Sequence, residues 1–111
     1  NMSIVSLAAG KVILREWNIL QINTPEGSGE IFVGYSEHDG LGRVSTVIKQ
    51  FDETTKTGRT QSGSEYEVIG EAGMPHEDAM YVLERTLGAD LIQKELLPGN
   101  SEVLRFRYPI K

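Results

Sequence analysis

The sequence contains no cysteine among its 111 residues. This absence excludes disulfide bridges, thiolate metal sites and cysteine nucleophiles, and it suits a reducing compartment. No apolar run approaches the ~18–20 residues that a membrane-spanning helix needs. The segment Asn1–Leu7 has no basic region followed by a long apolar stretch, so we expect no signal peptide. Together these features predict a cytoplasmic protein that does not enter the membrane.

Basic residues are too few and too scattered for a nucleic-acid-binding surface. Lysine and arginine number 11 against 16 aspartates and glutamates, which gives a net charge of −5. Binding to a phosphate backbone requires clustered positive charge. We therefore expect that nucleic acid is not a partner.

Motifs for catalysis or cofactor binding are also missing. Two groups mix histidine with carboxylates, at 37–39 and 76–78, but neither has the spacing of a metal site. No serine stands in a nucleophile elbow. The Gly-x-Gly fragments at 27–29 and 40–42 do not join a strand to a helix, as a phosphate-binding loop does. We assign no catalytic residue, no metal and no cofactor, and these absences favour a protein that is not an enzyme.

The residues that are present have the composition of one globular domain. Hydrophobic residues make up 39% of the chain and charged residues 24%, whereas disordered chains are poorer in large apolar side chains. The length also suits one domain. We therefore treat residues 1–111 as a single domain.

The hydrophobic pattern predicts an antiparallel sheet over the first two thirds of the chain. Residues 11–22 are rich in β-branched and aromatic types, which indicates one strand, or two with a bend near Glu16. Residues 25–29 have the composition of a loop. Apolar and polar residues then alternate between turn signals from 30 to 69, including one run over 44–51. This pattern predicts a meander of four antiparallel strands.

A helix is predicted over residues 75–87. Pro75 suits the first helical position, Ala79 and Leu83 recur on one face, and Gly88 suits the end. Residues 89–97 form a short second helix or a connecting turn. A last strand within residues 103–110 pairs back into the sheet. The predicted fold is α+β, a curled or barrel-like antiparallel sheet of five to seven strands with one main helix packed on it.

Five side chains are candidates for a ligand-binding or interface site. Trp17, the only tryptophan, belongs to the core or anchors an interface. Arg105 and Arg107 project from one face of the last strand, where they clamp an anion or pair with glutamates at 65 and 67 across the sheet. Arg59 and His76 complete the set.

Two functions remain open. The favoured one is a small non-enzymatic binding or regulatory protein that acts through a sheet face or edge on another protein. Self-association as a homodimer is expected with it, because exposed sheet edges need covering and twofold dimers are the commonest oligomers. The alternative is a binding domain for a small anionic ligand, or a minor enzyme. Its pocket would lie between helix and sheet and would use Arg59, Arg105 or His76.

The segment 60–82 combines sequence motifs that are typical of turns with one that is typical of the start of a helix. It contains a Thr-x-Ser-Gly-x-x-Tyr hairpin from Thr60 to Tyr66, a Gly-x-x-Gly corner from Gly70 to Gly73, and Asp-Ala-x-Tyr-Val from Asp78. In these features it resembles small uncharacterised bacterial proteins, some from mobile gene (integron) cassettes. The resemblance implies a bacterial source, and it transfers no activity and no functional residue.

Overall fold

The computed structural model describes residues 11–110, which form seven strands and two helices. The strands are β1 (Lys11–Thr24), β2 (Gly27–Ser36), β3 (Leu41–Val44), β4 (Ile48–Asp52), β5 (Thr57–Thr60), β6 (Glu65–Val68) and β7 (Leu104–Phe106). The helices are α1 (Glu77–Leu87) and α2 (Ala89–Glu95).

The strands form one sheet in the order β3-β2-β1-β6-β5-β4, with β7 also paired to β1. Among these seven strands β1 and β6 pair in parallel, and the other pairs are antiparallel. The sheet curls so that the chain before β4 returns to β2, where the Ser45 amide donates to the Phe32 carbonyl at 2.9 Å. The sheet does not close into a barrel. The predicted α+β fold is confirmed, in the form of a curled, open sheet.

The continuous meander predicted for residues 30–69 is wrong, because β3 and β4 lie at opposite ends of the strand order. The run at 44–51 breaks at Ser45, whose hydroxyl accepts from the Phe32 amide at 2.8 Å. Such side-chain bonds to the backbone compete with a strand ladder. The loop predicted at 25–29 is also shorter, since residues 27–29 pair with the end of β1.

Helix α1 is confirmed, although it begins two residues after Pro75. His76 caps it, since the ring Nδ1 accepts from the Asp78 amide at 2.9 Å. Pro75 therefore precedes the cap and does not occupy the first helical position. Ala79 and Leu83 are buried and Gly88 follows the last residue, as predicted. Residues 89–95 form the short second helix.

The core lies on both faces of the sheet, in two clusters. The residues buried between the helices and the sheet are Leu20, Ile31, Val33, Ala79, Leu83, Ile92, Leu96, Leu104 and Phe106. The residues buried on the other side are Val12, Leu14, Trp17, Ile19, Phe32, Tyr66 and Val68. Apolar side chains therefore pack the space between helices and sheet where a pocket was expected.

Neither helix of the described region is long and apolar enough to cross a membrane. The expectation about a signal peptide concerns residues 1–7, which lie outside the described residues.

Candidate ligand-binding cleft

Trp17 lies at an irregular point of β1. The pairing of β1 with β2 shifts register between Arg15 and Asn18, and Glu16 has a φ of 45°. The bend predicted near Glu16 is therefore confirmed as a bulge, which re-aims the side chain that follows it. Trp17 packs against β2 at Gly34, where an added Cβ would lie 2.8 Å from the Trp17 Cβ. The structure places Trp17 in the core, 3% exposed.

An open cleft of about 330 Å³ lies beside Trp17, and we call it the aromatic cleft. Its rings come from Trp17, from Phe51 at the end of β4, and from Tyr108 after β7. The Trp17 ring meets Phe51 at a centroid distance of 6.3 Å and Tyr108 at 5.6 Å, with interplanar angles of 64° and 73°. These edge-to-face contacts are the arrangement that aromatic pairs prefer. Ala72 and Pro109 add small apolar surface to the lining.

Three charged residues, Glu53, Lys56 and Glu71, line the same cleft. The Lys56 ammonium donates to the carbonyl of Gly70 at 3.2 Å, and the Trp17 indole nitrogen donates to that same oxygen at 3.2 Å. In the described part of the chain Glu71 has no ion pair. The cleft therefore combines an aromatic wall with two carboxylates and one ammonium group.

Arg107 connects two rings of the cleft to one of its carboxylates, Glu53. The guanidinium binds Glu53 at 3.0 Å and Glu30 at 3.4 Å. Its central carbon lies 5.5 Å from the ring centroid of Tyr108 and 5.9 Å from that of Phe51. Arg107 thus makes cation–π contacts with both Phe51 and Tyr108 and at the same time fixes the carboxylate of Glu53.

The Tyr108 hydroxyl donates to Glu53 at 2.6 Å. Burial and this hydrogen bond raise the pKa of Tyr108 to about 12, although the positive charge of Arg107 acts in the opposite direction. The phenol therefore stays protonated at neutral pH and serves as a hydrogen-bond donor.

Asn18 positions the cleft, and sequence reasoning missed it. Its side chain is fully buried, and its amide nitrogen donates to the carbonyls of Gly73 at 2.9 Å and Tyr108 at 3.0 Å. Its oxygen accepts from the amides of Ile19 and Tyr108. One side chain thus joins β1, the segment before α1 and the segment after β7. The only signal in the sequence is an asparagine within the strand predicted over residues 11–22, a residue type that strand propensity disfavours.

The structure places Arg59, Arg105 and His76 outside the lining of the aromatic cleft. Arg59 pairs across the β5–β6 ladder with Glu65 at 2.9 Å. Arg105 is exposed on β7 opposite Gln21 of β1. His76 caps α1 and stacks on Tyr35 with a centroid distance of 4.4 Å.

The ion pairs expected for Arg105 and Arg107 with glutamates 65 and 67 are wrong. Glu65 pairs with Arg59 and Glu67 with Lys11. The reason is topological, because β7 pairs with the end of β1 whereas β6 pairs with its beginning. The residues after β7 consequently face Glu30 and Glu53.

Comparisons with protein-family models, with curated proteins and with solved structures give no match to this chain. Its fold and its cleft define an α+β protein with a small open pocket on the sheet face away from the helices.

Proposed function

We propose that this protein is a non-enzymatic binding protein that holds a small organic ligand in the aromatic cleft. The observation that carries the proposal is a space of about 330 Å³ lined by three aromatic residues, two glutamates and one lysine. Binding sites for small molecules have this size and this mixture of apolar walls with a few polar groups. Buried Asn18 supports the site by fixing the backbone on either side of it.

Binding of an anionic ligand, the alternative expected from the sequence, has less support. The guanidinium groups of Arg59 and Arg107 already pair with carboxylates. Arg105 lies outside the lining of the aromatic cleft. A site for an anion would need converging positive charges that have no carboxylate partner.

For the cellular setting we propose the cytoplasm of a bacterium. The absence of cysteine fits a reducing compartment, and the pattern in residues 60–82 supports a bacterial source. We also propose a homodimer, since among residues 11–110 the sheet ends on one side in β4, which is paired there with β5 alone.

Nuclear magnetic resonance of the single indole N–H tests ligand binding directly. Because Trp17 is the only tryptophan, its indole gives one unambiguous signal, and that group lies at the cleft. We expect members of a panel of small uncharged, cationic and anionic organic compounds to shift this signal in a saturable manner.

An occluded variant shows whether such shifts arise in the cleft. Ala72→Phe adds a ring to the lining and should abolish the shifts, with Ala72→Leu as the smaller substitution if the first variant unfolds. Ala89→Phe makes the same change at an exposed position of α2 and should leave them intact. The proposal is overturned if no compound moves the indole signal, or if the occluded variant responds like the unmodified protein.

A further inference from the structure

The rings of the aromatic cleft already accept a cation in this structure. The guanidinium carbon of Arg107 lies within 6 Å of the centroids of both Phe51 and Tyr108. At this distance the negative face of an aromatic ring attracts positive charge. These two rings also line the cleft, and each ring has a second face besides the one that Arg107 covers.

One carboxylate of the lining is without an ion pair among the described residues. Glu53 and Glu71 supply two carboxylates, and the nearby cations are the Lys56 ammonium in the lining and the Arg107 guanidinium on Glu53. Arg107 already pairs with Glu53, whereas Glu71 has no ion pair within residues 11–110. The Lys56 ammonium in turn is held by the Gly70 carbonyl. Glu71 is therefore the carboxylate that is available to a positively charged ligand.

We propose that the ligand of the aromatic cleft carries an alkylated ammonium group, such as a trimethylammonium head. This inference rests on the proposed binding function and names the chemical class of the ligand. Aromatic walls suit a diffuse, weakly hydrated cation, because its methyl groups pack on rings while its charge interacts with their negative faces. Ala72 and Pro109 supply further apolar contact for those methyl groups.

Three probes of nearly equal shape and different charge test this inference. Choline is the cation, 3,3-dimethylbutan-1-ol is its uncharged carbon analogue, and 3,3-dimethylbutanoate is the anion. Titration of the Trp17 indole signal gives a dissociation constant for each compound. We expect choline to bind about 5- to 30-fold more tightly than the alcohol, and the anion to bind most weakly.

Two charge variants should move the affinity for choline in opposite directions. Glu71→Gln should weaken choline binding by about 2- to 5-fold, the range of an exposed ion pair. Lys56→Gln removes the opposing charge and should strengthen it by a similar factor. Glu102→Gln, at an exposed position outside the cleft lining, has the same net charge as Glu71→Gln and should leave the affinity unchanged.

The outcomes separate this inference from the binding proposal. If the alcohol binds as tightly as choline, the cleft is a binding site without preference for a cation, and only the inference fails. If the anion binds most tightly, the cleft selects negative charge, and this result also contradicts the inference of a cationic ligand. If none of the three probes moves the signal, the inference fails, and the wider panel then decides the binding proposal.

Discussion

Asn18 illustrates how one buried polar side chain can hold a site together. Its amide bonds to Gly73 and to Tyr108, which are 55 and 90 residues away in sequence. Asn18→Ala would leave these backbone groups without a partner. We expect a loss of about 3 kcal/mol in the free energy of unfolding, measured by urea denaturation, together with a displaced Trp17 indole signal.

Asn23→Ala is the matched control for that prediction. Asn23 is exposed, and its side chain bonds to the Glu102 carbonyl and to the Ser28 hydroxyl. Water can replace these bonds, so we expect a loss of about 1 kcal/mol or less. Equal effects of the two substitutions would show that Asn18 has no special role.

Tyr108 predicts a pH dependence of stability. Its pKa is raised in the folded protein from 10.0 to about 12, so the folded state holds the phenolic proton more tightly than the unfolded state does. This contribution to stability is complete below pH 10 and is lost as the pH rises towards 12. We expect the unmodified protein to lose stability relative to the Tyr108→Phe variant as the pH rises through this range. The quantity compared is the difference between the free energies of unfolding of the two proteins.

Urea denaturation at pH 8, 9, 10 and 11 measures that difference. It should be constant at pH 8 and 9, begin to shift by pH 10 and shift further at pH 11. Tyr81→Phe is the control, since the Tyr81 side chain is 59% exposed. A difference that does not vary with pH would contradict the proposed environment of Tyr108.

At the scale of elements, the contact between α1 and β3 depends on the missing side chain of Gly42. A Cβ built there would lie 2.3 Å from the carbonyl carbon of Asp78 and 2.4 Å from the amide of Ala79. These are backbone atoms, so the first turn of α1 would have to move away. Gly42→Ala should lower the free energy of unfolding by about 2 kcal/mol, as measured by urea denaturation.

Gly73→Ala serves as its control, because nothing lies within 4 Å of the added Cβ. We expect its effect to stay within about 1 kcal/mol. A Gly42→Ala variant as stable as this control would contradict the prediction. It would show that α1 can move away from β3 with no loss in the free energy of unfolding.

Local sequence signals predicted those elements that local interactions dominate. The periodic apolar residues of α1 and the alternation of β7 are visible in the sequence because neighbouring residues produce them. The break at Ser45 is not visible, since it depends on the backbone of Phe32 in another strand. The parallel pair of β1 and β6 joins residues more than 50 positions apart, and periodicity does not encode a partner.

For the whole molecule, the predicted homodimer stays a prediction. In the described part of the chain β4 ends the sheet, and several apolar residues are about half exposed, including Leu41, Met74 and Tyr81. Light scattering after size-exclusion chromatography should give about twice the chain mass of 12.3 kDa. A mass of one chain across a range of concentrations would show that the dimer proposal is wrong.

The candidate site was predictable from the sequence only in part. Trp17 and Arg107 were chosen as candidates, and the structure places Trp17 in the lining of the aromatic cleft and Arg107 against two of its rings. Phe51, Glu71 and Asn18 were not chosen. None of the three stands out within its own segment of the sequence. Each takes part in the aromatic cleft only through contacts with residues that are distant in sequence.

The sequence by itself determined the α+β class and the position of α1. Composition and periodicity suffice for these features, because burial of an apolar face acts within one element. The tertiary structure alone decided the strand order and the aromatic cleft. The order is decided by pairing between remote strands. The cleft forms where β1, the turn after β4, the segment before α1 and the end of the chain meet, and no local pattern specifies that meeting.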